Sequence, residues 1–162
     1  FKDLSGETVG YHGQVVFPLL VKSKNPDEPV SLKLSLFFAV CKDVCIPASS
    51  ELSLDLNSTE LSPLIESWKN RVPRIEVAIL NARIETKQEI PMLVLALNRA
   101  ATDIFVESET PAYFGRPQFD LSPGEAWLPI AGLKDLSKLR NSPLKVTMAL
   151  GDSGIEQVIT VN

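Results

Sequence analysis

The sequence predicts an all-β protein made of immunoglobulin-like β-sandwich units with one short linking helix. Three observations lead there. Residues Val30 to Cys41 alternate with a period of two, about seven short β-prone runs separated by turn residues follow Pro73, and helical spacing occurs once, between Leu61 and Trp68. With 162 residues, 44% of them hydrophobic, the chain can form one large domain or two small ones, each with a core.

Taken in order, Val9 to Lys22 is β-prone through Val15, Val16, Phe17, Leu19, Leu20 and Val21. Pro18 interrupts it, so an edge strand or a break is expected there. Lys24-Asn25-Pro26-Asp27-Glu28-Pro29 reads as a polar turn. In the next strand Val30, Leu32, Leu34, Leu36, Phe38 and Val40 share one face, while Ser31, Lys33, Ser35, Phe37, Ala39 and Cys41 share the other. Leu52, Leu54 and Leu56 alternate with Ser53 and Asp55 as the returning strand, so the only cysteines, Cys41 and Cys45, fall in a hairpin connection.

Leu61, Leu64, Ile65 and Trp68 then mark an amphipathic helix near residues 62–71, with Ser62 and Pro63 at its start and Pro73 beyond its end. Further strands are expected at Ile75–Ile84, Met92–Leu97, Ile104–Glu107, Gln118–Leu121 and Ala126–Ile130. A last hairpin, Leu144–Leu150 with Ile155–Val161, turns at Gly151-Asp152-Ser153-Gly154. The expected division is a cysteine-bearing β unit at 1–57, a helical linker at 58–73 and a second sandwich at 74–162. The first unit has too few strands to close a sandwich alone. It is expected to pack on the second unit or on strands upstream of Phe1, the chain being read as a fragment or processed piece.

Net charge −4, with 16 basic residues dispersed among 20 acidic ones, argues against nucleic-acid binding. No apolar run reaches the roughly 18 residues of a membrane span. Neither a phosphate-binding glycine loop nor a paired-carboxylate pattern is present. Asp152-Ser153 has no histidine placed to serve it and reads as a turn. Asn57-Ser58-Thr59 matches a glycosylation sequon, a common chance match.

The chemistry therefore rests on Cys41-Lys42-Asp43-Val44-Cys45. A disulfide closing so small a ring removes only about 2 kcal/mol of unfolded-state entropy. Thiol exchange needs an accessible sulfur with a second sulfur close enough to resolve a mixed disulfide, and this spacing supplies both. Two thiolates also suit Cu(I), whereas a closed zinc site needs more ligands than one distant histidine, His12, provides. Redox exchange, copper handling and a structural staple all remain open on spacing alone. Which sulfur is attacked first is equally open, because Lys42 and Asp43 pull a thiolate in opposite directions.

The Cys-x-x-x-Cys spacing resembles the copper motif of the Sco family, but in that thioredoxin fold a helix follows the motif, and here Ser50 to Leu54 reads as a strand. A wider resemblance is carried by Gly10-Tyr11-His12-Gly13, Val16-Phe17-Pro18-Leu19 and Val40-Cys41-Lys42-Asp43-Val44-Cys45-Ile46-Pro47. Asp103 to Glu107, Tyr113-Phe114 and Pro117-Gln118-Phe119 support it. Together they resemble the N-terminal periplasmic region of the DsbD/ScsB family of bacterial thiol:disulfide interchange reductases.

The resemblance implies a periplasmic immunoglobulin-like module that takes electrons from a transmembrane thiol-reductase domain and passes them to thioredoxin-like partners. It would do so without an organic cofactor, a resident metal or membrane insertion of its own. The interval between the cysteines is shorter than in the best-known DsbD domains, so only Cys41 and Cys45 are carried over as catalytic residues. Alternatives are a Cu(I)-binding copper-tolerance protein using the same pair and a non-catalytic interaction module with a structural disulfide. Phe37 is expected as a partly buried sheet residue, the alternative being that it covers the disulfide or meets a partner. Tyr11 and His12 are expected near the pair or simply at the surface. Trp68, Trp127, Met92 and Met148 are expected to be packing residues.

Overall fold

The alternation beginning at Val30 and the leucines near residue 54 belong to one long hairpin. In the computed structural model, which describes residues 2–3, 6–7, 9–25, 28–42, 44–56 and 62–161, β3 (Val30–Cys41) pairs antiparallel with β4 (Cys45–Leu56) along its whole length. Two short strands precede it, β1 (Lys2–Asp3) and β2 (Gly6–Glu7), paired with each other. Between them and the hairpin the β-prone segment 9–22 forms no strand, contrary to one of its two expected outcomes. Pro18 lacks the N–H that a ladder needs in the middle of that run. The helix α1 (Pro63–Lys69) forms where expected, with the Ser62 hydroxyl accepting from the Leu64 N–H. The chain divides into two compact units, residues 1–69 and 70–162. The sequon at 57–59 lies outside the described residues.

The second unit is a two-sheet β-sandwich of the immunoglobulin-like kind. Its strands are β5 (Arg74–Ile75), β6 (Ile79–Lys87), β7 (Ile90–Leu97), β8 (Asp103–Ser108), β9 (Tyr113–Phe114), β10 (Glu125–Ala131), β11 (Pro143–Ala149) and β12 (Gly154–Thr160). One sheet runs β6-β7-β10-β9 and the other β5-β12-β11-β8. The expected strand at Gln118–Leu121 is reduced to a single bridge from Gln118 to Trp127, with Pro117 and Pro123 bounding the segment. Alternation sets the core. Ala126, Leu128 and Ile130 from one sheet face Leu144, Val146 and Met148 from the other, and all six are buried.

β7 is buried on both faces. Its inner residues Leu93 and Leu95 join the core, and on its outer side Val94 sits in one rung between Arg83 and Trp127. The Arg83 and Lys87 cations each stand 5.9 Å from the Trp127 ring centroid, so the tryptophan and two long side chains roof that strand. Arg83 also pairs with Glu125 at 2.8 Å, and the Trp127 indole N–H donates to the same carboxylate at 3.2 Å. The Arg83 hydrogen bond holds the Glu125 carboxyl below the usual range against the opposing effect of burial. A carboxylate with a lowered native value stabilises the fold above its unfolded value of about 4.3 and loses that contribution as pH falls through the native value. Glu125→Gln is therefore expected to lower stability by about 1 kcal/mol at neutral pH. In urea melts that difference should shrink to nothing in acid; one that persisted there would place the effect in packing.

The two sheets are tied at one corner by a side chain. After pairing in parallel with β12, β5 leads through residues 76–78 into β6 of the opposite sheet. At that crossing the Gln157 Oε1 accepts from the N–H groups of both Ala78 and Ile79 at 2.8 Å, and its Nε2 donates to the Ile79 carbonyl at 3.1 Å. One glutamine thus substitutes for a missing stretch of ladder where the chain crosses between the sheets.

Candidate functional site: a disulfide at the tip of a hairpin

The returning strand begins earlier than its leucines indicate. Cys45, Ile46, Pro47 and Ala48 already belong to β4, so the connection is three residues long and the cysteines are the last rung of the ladder, Cys41 opposite Cys45. The Lys42 N–H donates to the Val44 carbonyl across that loop at 3.3 Å. Cys41 and Cys45 are joined in a disulfide, with their Cα atoms 4.0 Å apart, and no free cysteine remains. Both are half-buried, flanked by exposed Lys42 and Val44.

Register fixes what surrounds the sulfur atoms. On the disulfide's face the rungs leading away from it are Ala39–Pro47, Phe37–Ser49, Ser35–Glu51, Lys33–Ser53 and Ser31–Asp55. The ladder is uncharged next to the disulfide and becomes polar and charged farther off, where the Ser31 hydroxyl donates to Asp55. On the opposite face every residue from Val30 to Val40 and from Ile46 to Leu56 is apolar except Ser50. Ile46, Leu52 and Leu54 on this face are exposed among the described residues, as is Phe38 at 45%.

The sequence-predicted residues are distributed unevenly. Cys41 and Cys45 are brought together. Phe37 shares their face, as expected, but is not partly buried: it is 83% exposed. Tyr11 packs edge-on against Phe17, with ring centroids 5.4 Å apart, and His12 is exposed in the same segment. Met148 and Met92 are buried in the second unit, and Trp68 and Trp127 are half-buried. Among the described residues no three of His, Cys, Asp and Glu converge as metal ligands, and no helix is long and apolar enough to cross a membrane. Sequence reasoning put Ala39 on the face of Cys41 but missed Pro47 opposite it, which the position of the turn would have revealed.

The geometry offers what thiol exchange requires, a half-buried disulfide in a very short loop, held on a strand ladder. Residues 1–57 match the family model described as thiol:disulfide interchange protein DsbD, N-terminal. The resemblance read from the cysteine segment holds. The solved N-terminal periplasmic domain of ScsB from Proteus mirabilis is similar in fold over 82% of this chain, with a TM-score of 0.55 and 18% sequence identity. The chain spans 57% of that structure's length, and the likeness extends past the DsbD-type segment into the second unit. No curated protein sequence matches the chain.

Proposed function

We infer that Cys41–Cys45 is the redox-active couple of a periplasmic thiol–disulfide exchange module. The observation that carries this reading is the formed disulfide at the hairpin tip inside the segment that matches the DsbD N-terminal family. A thiolate on an electron donor attacks one of the two sulfurs, forming an intermolecular disulfide and releasing the other as a thiolate. The donor's second thiol then resolves the intermolecular bond. The donor leaves as a disulfide and this protein as a dithiol, with two electrons and two protons transferred. The reverse sequence reduces the disulfide of an acceptor.

The resemblance names a transmembrane thiol-reductase domain as donor and thioredoxin-like periplasmic proteins as acceptors. Equilibration with glutathione or dithiothreitol, read by alkylation and mass, tests the couple. The expected potential lies in the range of exchange proteins, about −120 to −270 mV, and a value below about −300 mV would make the bond a structural staple. Stoichiometric Cu(I) uptake by the reduced form, lost in Cys41→Ser, would instead favour copper handling.

A further inference from the structure

Alternation along a strand decides from which side a partner reaches the disulfide. Cys41, Ala39 and Phe37 on β3 project to one face together with Cys45, Pro47 and Ser49 on β4. A sulfur attacking either cysteine therefore comes from the face that carries Phe37, and the surface around that sulfur must lie along the same rungs. Those rungs are shaped for it. Ala39 and Pro47 are short and uncharged, so another backbone can approach closely without desolvating an ion. The charged rungs begin only at Ser35–Glu51. Phe37 stands between the two regions, about 13 Å along the strand from Cys41 by strand rise, and the residue is 83% exposed.

We propose that Phe37 is the anchor by which a partner protein docks on this face, its ring entering an apolar pocket about 13 Å from the partner's reactive cysteine while Ala39 and Pro47 form the close-contact floor between them. The occupant is a thiol protein rather than a small thiol, because only a macromolecule reaches the disulfide and Phe37 at once. The proposal rests on the exchange reading of Cys41–Cys45 and adds to it the recognition surface. An exposed aromatic beside small neighbours has the composition of an interface hot spot, and its truncation is costly only when a partner buries it.

The test compares two reductants of the oxidised protein, reduced thioredoxin as the protein thiol and dithiothreitol as the small one. Phe37→Ala is expected to lower the second-order rate with thioredoxin by about tenfold or more and to change the dithiothreitol rate by less than about twofold. Ser49→Glu, which puts a charge on the same rung, is expected to act like Phe37→Ala, and Phe37→Leu to retain an intermediate rate. Lys33→Glu, beyond the uncharged rungs, should leave the protein-thiol rate close to wild type. Equal losses with both reductants would make Phe37 a part of the disulfide's own environment and overturn the proposal. Unchanged rates in both Phe37→Ala and Ser49→Glu would also overturn it. If wild-type protein exchanges with neither reductant, the exchange reading itself fails, an outcome distinct from either of these.

Discussion

Cys45→Ser is expected to abolish two-electron exchange. With one sulfur left, the protein can enter a mixed disulfide through Cys41 but cannot resolve it, because resolution requires the thiol that sat 4.0 Å away at the level of Cα. Cys41→Ser should be equally inactive in turnover. The two variants should nevertheless differ in trapping: the one that retains the sulfur attacked by the partner accumulates the intermolecular species. Incubation of each variant with a thiol partner activated as a mixed disulfide, followed by non-reducing electrophoresis and mass measurement, reads both effects. Turnover surviving in either variant would remove the pair from the mechanism. Neither substitution should unfold the hairpin, since the remaining rungs from Val30–Leu56 to Val40–Ile46 do not depend on the sulfur bond.

Gln157→Leu has the largest expected effect on the second unit. The leucine has similar bulk but leaves the N–H groups of Ala78 and Ile79 and the Ile79 carbonyl without the amide that satisfies them. Ala78 is fully buried and Ile79 nearly so, so water cannot readily take its place. Orphaned buried backbone groups cost about 1–3 kcal/mol each, and a total loss of about 3 kcal/mol or more is expected. Denaturant unfolding followed by Trp127 fluorescence measures it, with Gln157→Glu as the comparison that keeps an acceptor for the two N–H groups. A loss below about 1 kcal/mol in Gln157→Leu would mean that residues 76–78 find other partners.

These two residues mark opposite ends of what could be read in the sequence. The strand Val30–Cys41 was legible because one face is continuously apolar, and the helix was legible because Leu61, Leu64, Ile65 and Trp68 break that period. The buried strands of the second unit announced themselves by the same alternation. The beginning of β4 did not: Pro47, Ala48, Ser49 and Ser50 have little strand preference, and only their ladder partners on β3 impose the extended form. Residues 9–22 show the converse, a β-prone composition that forms no ladder. Parity assigned Phe37 to the face of the cysteines but is silent on whether a second layer covers it. Nothing local distinguishes Gln157 from any polar strand residue, since its role depends on the crossing from β5 to β6 some 79 positions earlier in the chain.

The three-residue connection between Cys41 and Cys45 links redox chemistry to folding through a thermodynamic cycle. Whatever free energy the sulfur bond adds to the native state must reappear as a difference in potential between the native couple and the same couple in the unfolded chain. A ring this small contributes about 2 kcal/mol, which corresponds to about 40 mV for a two-electron couple. The midpoint is then set mainly by the sulfurs and their immediate surroundings, and the β3–β4 ladder is nearly the same energetic object in both oxidation states. Such a couple can charge and discharge repeatedly while its scaffold stays folded.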